Sequence, residues 1–100
     1  MSEMIYISHP YGGKRENIGE IEEIVTGLLI EYPHITFVSP VHTFGFLYDK
    51  VDYDMGINYC LELLKNCDEM WVFGDYMCSK GCNIEIEYCK KHNIPYKIFK

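Results

Sequence analysis

The sequence predicts an α/β fold: a small flavodoxin- or Rossmann-like three-layer sandwich around a parallel sheet of about four strands, in the order 2-1-3-4. Three observations lead there. Short apolar runs of strand length alternate with longer segments of helical period. The first run, "MIYIS" (4–8), is apolar almost throughout, as in a strand covered on both faces. Each run is followed by a segment long enough for a crossover, and right-handed crossovers leave few strand orders open.

The elements follow in sequence. After "MIYIS", "HPYGGKREN" holds a proline and two glycines and reads as a loop. From Glu16 onward Ile18, Ile21, Val25, Leu28 and Leu29 fall on one helical face, with Glu16, Glu20, Glu23 and Thr26 mostly opposite. Tyr32-Pro33 ends that helix. "ITFVSP" (35–40) is the second strand. "VHTFGFLYDKVDYD" shows no period and reads as a long functional loop with room for a helical turn. Ile57, Cys60, Leu61, Leu64 and Cys67 repeat at helical spacing, placing a helix over 54–66. "EMWVFG" (69–74) is the third strand, 80–92 the last helix and "IPYKIF" (94–99) the last strand.

Composition bounds the function. One hundred residues, 48% hydrophobic and 24% charged, suit a single packed domain over 1–100 and exclude disorder. A net charge of −6 argues against a sequence-independent grip on nucleic acid, although a few backbone amides can still bind one phosphate. No apolar stretch reaches membrane-spanning length, and no leader pattern precedes the first strand, so the expected location is the cytoplasm. The five cysteines form no CxxC pair and suit reduced thiols. Cys78 and Cys82 could join a histidine around zinc, but CxxxC is a weak signal. Buried small side chains are the better reading, and neither metal nor cofactor is expected.

In an open α/β sheet, ligands bind at the carboxyl ends of the strands where the winding reverses. For the order 2-1-3-4 that crevice lies between the first and third strands. Two loops open there, Ser8 to Lys14 and Gly74 to Gly81. Each contains glycine with a hydroxyl or a cation and leads into a helix N-terminus, where free amides favour anions. Ser8, Gly12, Gly13, Ser79 and Gly81 are therefore phosphate-binding candidates. The plainer alternative makes the glycines turn residues and Ser79 an N-cap.

The stretch "CSKGCNIEIEYC" (78–89) holds two glutamates on opposite sides of one helix. Glu87 shares a side with Asn83, Lys90 and Lys91 and should be solvated. Glu85 lies beside the stripe of Cys82, Ile86 and Cys89 and turns toward the sheet, near the crevice. A carboxylate there needs a partner or a task. It is either a structural group bonded to a backbone amide or a tyrosine, or a functional one.

"MIYISHPYGGKREN" with "NCDEMWVFGDYMCSKGCNIEIEYCKKHNIPYKIF" resembles the nucleoside 2-deoxyribosyltransferase-like superfamily, and within it the 2′-deoxynucleoside 5′-phosphate N-hydrolases and small bacterial and phage relatives. The likeness covers about the first twenty and last thirty-five residues. Its pattern of an aspartate before a strand, then Ser or Asp, Gly and a glutamate corresponds to Asp68, Ser79, Gly81 and Glu85. Gly12-Gly13-Lys14-Arg15 is similar to the Gly-Gly-Arg loop of the hydrolase branch, and Ser79 stands where the transferases have Asp. The resemblance implies an enzyme that cleaves or transfers the N-glycosidic bond of a (deoxy)nucleoside 5′-monophosphate, with Glu85 as nucleophile. It implies a phosphate held by Gly13, Arg15 and Ser79. Tyr6, Tyr11, His42, Phe44 or Phe46 would lie against the base. An aspartate usual in the family falls at Cys60 here, so Asp54, or Asp52, would substitute, and Glu87 replaces a usual glycine. If nothing substitutes, a non-catalytic binder of a nucleotide or ADP-ribose-type ligand is the alternative. A homodimer or larger homo-oligomer is implied as well, with 44–53 as its interface or, failing that, as a lid over its own subunit.

Overall fold

The computed structural model describes residues 3–99. The first strand, β1 (Glu3–Ser8), lies between β2 (Ile35–Val38) and β3 (Glu69–Val72), and β4 (Tyr96–Ile98) lies outside β3. The order is β2-β1-β3-β4 and every pairing is parallel, as the alternation of runs predicted. Tyr6 sits opposite Val38 on one side and Met70 on the other.

The period-two alternation of β1 divides the core in two. Ile5 and Ile7 join Trp71 under Val25 and Leu28 of α1 (Arg15–Glu31). Tyr6, Met70 and Val72 face the other way. They meet Leu64 of α3 (Tyr53–Lys65), Cys67 just beyond it, and Ile86 and Cys89 of α4 (Lys80–His92). Helices thus cover both faces of the sheet. Each fully buried aliphatic side chain contributes about 1.5–3 kcal/mol to holding the layers together.

The last helix has the predicted bounds, and its ends show why. Ser79 accepts a hydrogen bond from Cys82 N at its start, and Asn93 takes the left-handed conformation at its end, with φ 57°. Leu29 departs from its predicted place: it is 53% exposed. The buried stripe is centred on Ile21, Val25 and Leu28, which leaves Leu29 about 80° round the helix. Segment 41–54 is also more ordered than its lack of period suggested. It forms the short helix α2 (Pro40–Phe44) and a 3-10 turn over Gly45–Leu47. Ser39 caps α2 and Pro40 opens it, but five residues are too few to carry a periodic signature. Strands β2 and β3 end earlier than predicted, at Val38 and Val72; after Val38 the Ser39 cap starts a helix.

Two contacts set the position of the carboxyl ends. Asp68 accepts a hydrogen bond from Met4 N at 2.8 Å and returns one from its own amide to Met4 O, locking β3 to the start of β1. At the far end Gly74 has φ +77°, and a Cβ there would lie 2.9 Å from His9 Nε2 and 3.1 Å from Pro10 Cδ. The loops after β1 and β3 therefore touch only because residue 74 has no side chain. Gly74→Ala is expected to destabilise the fold by about 2 kcal/mol. Urea unfolding measures this, and an unchanged midpoint would refute the contact. Among the described residues, no helix is long and apolar enough to cross a membrane.

Candidate functional site

A cavity of about 690 Å³ opens at the carboxyl ends of β1 and β3, where the winding of the sheet reverses. The loop after β1 supplies Tyr11, Gly12 and Lys14 to its wall, the segment leading into α4 supplies Asp75 and Ser79, and the first turn of α4 supplies Lys80 and Gly81. The third side comes from 40–57, including Phe44, Tyr48, Asp52 and Tyr53.

Glu85 lines this cavity and is 5% exposed. Its place follows from the helix: Cys82, Ile86 and Cys89 are buried against the sheet, and Glu85 flanks that stripe on the side of β1. Glu85 Oε1 accepts a hydrogen bond from Ser8 Oγ at 2.7 Å, and Oε2 accepts one from the Tyr6 hydroxyl. Burial pushes the carboxyl up from 4.5 to about 7, while the two hydrogen bonds pull the other way. Glu87 is solvated, with Lys90 Nζ at 3.3 Å. The two readings of Glu85 therefore do not exclude one another. It is bonded to a tyrosine and it also faces an open cavity.

The groups around Glu85 hold their protons tightly. The Cys60 thiol, which lines the cavity, is pushed up to about 11, first by burial and then by the Glu85 charge. Burial, reinforced by Glu85, raises the Tyr6 hydroxyl well above its ordinary value and raises Tyr53 as well. Among the described residues, every buried side-chain nitrogen and oxygen has a hydrogen-bond partner.

Of the residues singled out from the sequence, Glu85, Gly12, Ser79, Gly81, Tyr11 and Phe44 meet at the cavity. Ser79 Oγ is engaged as the cap of α4, at 3.2 Å from Cys82 N. Tyr6, Ser8, Gly13, Arg15, Asp54, His42 and Phe46 do not line the cavity. Tyr6 is fully buried in the middle of β1, so its ring is closed to a base; its hydroxyl is spent on Glu85. Ser8 is fully buried too, and its hydroxyl goes to Glu85 rather than to a phosphate. Gly13 faces the Tyr48 ring, where a Cβ would lie 2.8 Å from Cε2, and does not line the cavity. Arg15, the first residue of α1, is exposed and off the cavity; Lys14 before it takes that position.

Asp54 likewise points away, because two residues turn a helix by about 200°. Asp52 lines the cavity, with Oδ1 accepting from Met55 N at 2.8 Å as the cap of α3. His42 is held outside, between Ser39 Oγ and Glu22 Oε2, each at 2.8 Å. Phe46 is 67% exposed. Cys82 is buried, as a small core side chain should be, whereas Cys78 is exposed.

Three features of the site had no clear signal in the sequence. Tyr48 sits edge-on to Tyr11 with ring centroids 5.3 Å apart, joining segment 44–53 to the first loop. Lys80 Nζ stands 4.7 Å over the Tyr53 ring. His9 is nearly buried, with Nδ1 2.8 Å from Pro10 O and Nε2 2.8 Å from Glu20 Oε1, which ties the loop to α1. The aromatic richness of 44–53 was the one available hint, and Tyr48 packs this segment against the loop after β1.

Tyr6→Phe tests the support of the carboxylate. It keeps the ring and removes one donor to a buried charge, a loss of about 1.5–3 kcal/mol. The variant should lose that much stability at pH 8, where Glu85 is ionised, and less at pH 5. An equal loss at both pH values would show that the hydroxyl does not serve the charge.

Residues 3–99 match the model of the family described as Domain of unknown function (DUF7768), and the chain belongs to that family. No curated protein matches the chain.

Proposed function

We propose that this member of the family is an enzyme that cleaves, or transfers, the N-glycosidic bond of a (deoxy)nucleoside 5′-monophosphate. One observation carries the reading: a single carboxylate, Glu85, is buried at the wall of a cavity at the sheet's switch point and held there by Tyr6 and Ser8. In this reaction a Glu85 oxygen attacks C1′ of the sugar as the bond to the base breaks, and the electron pair leaves with the base. Water, or a second base, then attacks C1′ and frees the carboxylate. The two hydrogen bonds aim the carboxylate and limit its motion, which is the positioning such chemistry needs.

Lys14, Lys80 and the amide of Gly12 are the cavity groups suited to the phosphate. The start of α1 helps, since no side chain caps its first amides. Tyr11, Phe44 and Tyr48 offer rings to the sugar and base. The resemblance to the nucleoside 2-deoxyribosyltransferase-like superfamily supports the same reading through Glu85, Ser79 and Gly81. Self-association belongs to the proposal. Phe46, Tyr48, Tyr53 and Tyr59 are each between 42% and 67% exposed near the cavity, an apolar surface suited to a second copy.

The test is to incubate the protein with deoxyribonucleoside and ribonucleoside monophosphates and to follow free base by chromatography. Base release is expected from a monophosphate. Lys80→Ala and Lys14→Ala should each raise KM for the monophosphate about tenfold and leave the weaker reaction of the free nucleoside unchanged. Equal effects on both substrates would remove the phosphate assignment. A second reading, sequestration of an intact nucleotide or ADP-ribose-type ligand, is favoured by Cys60, a thiol at the position where the resembling families carry an aspartate. Tight binding without base release would establish it.

A further inference from the structure

We propose that the substrate of this site carries a cationic base, a heterocycle whose ring nitrogen is quaternised by its bond to ribose 5-phosphate, as in a pyridinium nucleotide. The inference rests on the N-glycosidase reading and narrows its substrate. Two independent features of the cavity lead to it.

The first is what the walls can recognise. The aromatic residues Tyr11, Phe44, Tyr48 and Tyr53 line the cavity, and so do four acidic residues, Glu20, Asp52, Asp75 and Glu85, beside Lys14 and Lys80. Aromatic faces backed by carboxylates attract a flat cation. The molecule already displays that preference, because the Lys80 ammonium stands 4.7 Å over the Tyr53 ring within the cavity. A ring carrying its own positive charge would compete for the same face, freeing Lys80 for the phosphate.

The second is what the leaving group would need. A neutral purine or pyrimidine departs as an anion unless a proton reaches it. The titratable groups beside Glu85 include Tyr6, Tyr53, Cys60 and Cys82, and burial makes each of these a weaker acid than usual. A quaternised ring needs no proton. As a Glu85 oxygen bonds to C1′, the C1′–N bond breaks and its electron pair neutralises the ring nitrogen. The base leaves uncharged. Water then opens the glycosyl ester, giving ribose 5-phosphate, the Glu85 carboxylate and one proton released to solvent.

The experiment has two arms. In the first, the wild-type chain is given nicotinamide mononucleotide, AMP or dAMP at equal concentration, and free base is followed by chromatography. Nicotinamide should be released with a kcat/KM at least about tenfold above that for adenine from either nucleotide. In the second arm, Glu85→Gln is titrated calorimetrically with nicotinamide mononucleotide and with its dihydro form, which has nearly the same shape and an uncharged ring. The oxidised form should bind about tenfold more tightly. Adenine released as fast as nicotinamide, or equal affinity for the two forms, overturns the assignment of a cationic base and leaves the N-glycosidase reading standing. If no nucleotide loses its base, both fall together.

Discussion

Base release should disappear in Glu85→Gln, with kcat falling by roughly 10³-fold or more, while nucleotide binding stays within a few-fold of wild type. Glutamine is the more informative replacement. Glu85 fills a buried position and accepts hydrogen bonds from Tyr6 and Ser8. Alanine would leave both hydroxyls buried without an acceptor, costing about 1–3 kcal/mol for each and confusing loss of chemistry with loss of fold. Glutamine still offers an acceptor and keeps the volume, but cannot form a stable glycosyl ester. The decisive comparison is turnover against affinity, by chromatography and calorimetry on one preparation. A glutamine variant that still releases base would end the nucleophile assignment, whatever its affinity. One that neither binds nor turns over, yet unfolds like wild type, would move Glu85 from chemistry to ligand recognition.

The second large effect is on pH. The folded protein holds the Glu85 proton up to about pH 7, against an ordinary value of 4.5. The folded value is the higher one, so folding takes up a proton between those limits. The sign follows: this group's contribution is most favourable below the lower limit and is lost as pH rises through the window. At 1.36 kcal/mol per pH unit, the span from 4.5 to about 7 amounts to about 3 kcal/mol. Other carboxylates titrate in the same range, so the difference between wild type and Glu85→Gln isolates the effect. Relative to wild type, the glutamine variant should gain about 3 kcal/mol between pH 4.5 and pH 8 in urea unfolding.

Activity runs the opposite way. A nucleophilic carboxylate must be ionised, so kcat/KM should climb from pH 5 to pH 8 with a midpoint near 7. The protein would then be least helped by Glu85 under the conditions in which it works best, which is the mark of a group kept for chemistry rather than for stability. A flat difference curve would mean that the carboxylate is better solvated than its burial indicates. An activity profile that rises toward acid would require a protonated Glu85 and a different mechanism.

Much of the candidate site could be read from the residues, and the reading stops at an identifiable point. The inward turn of Glu85 is a property of one helix: the stripe of Cys82, Ile86 and Cys89 sets which side meets the sheet, and Glu85 lies beside it. Glu87, two residues on, is solvated for the same reason. The strand order and the crevice between β1 and β3 come from the alternation of apolar runs and the handedness of crossovers. All of these depend on local periodicity, which one segment carries by itself.

The errors fall where two segments have to meet. Asp54 and Asp52 look interchangeable along the chain, but where α3 begins decides which of them reaches the cavity. Arg15 and Lys14 are neighbours, and the start of α1 turns one outward and the other in. Tyr6 was assigned to a base through the family resemblance, and Ser8 to a phosphate from the loop it opens. Their partner lies 79 and 77 residues away on α4, and it takes both hydroxyls. His42 and Phe46 sit in a segment without a period, so no rule of spacing could orient them. The chain's own pattern of apolar and polar residues decided the layers, the order of strands and the single inward acid. Which hydroxyls, thiols and cations surround that acid was decided only when helices and strands from opposite ends of the chain came together, because such distances depend on register and crossing geometry rather than on any neighbour in the sequence.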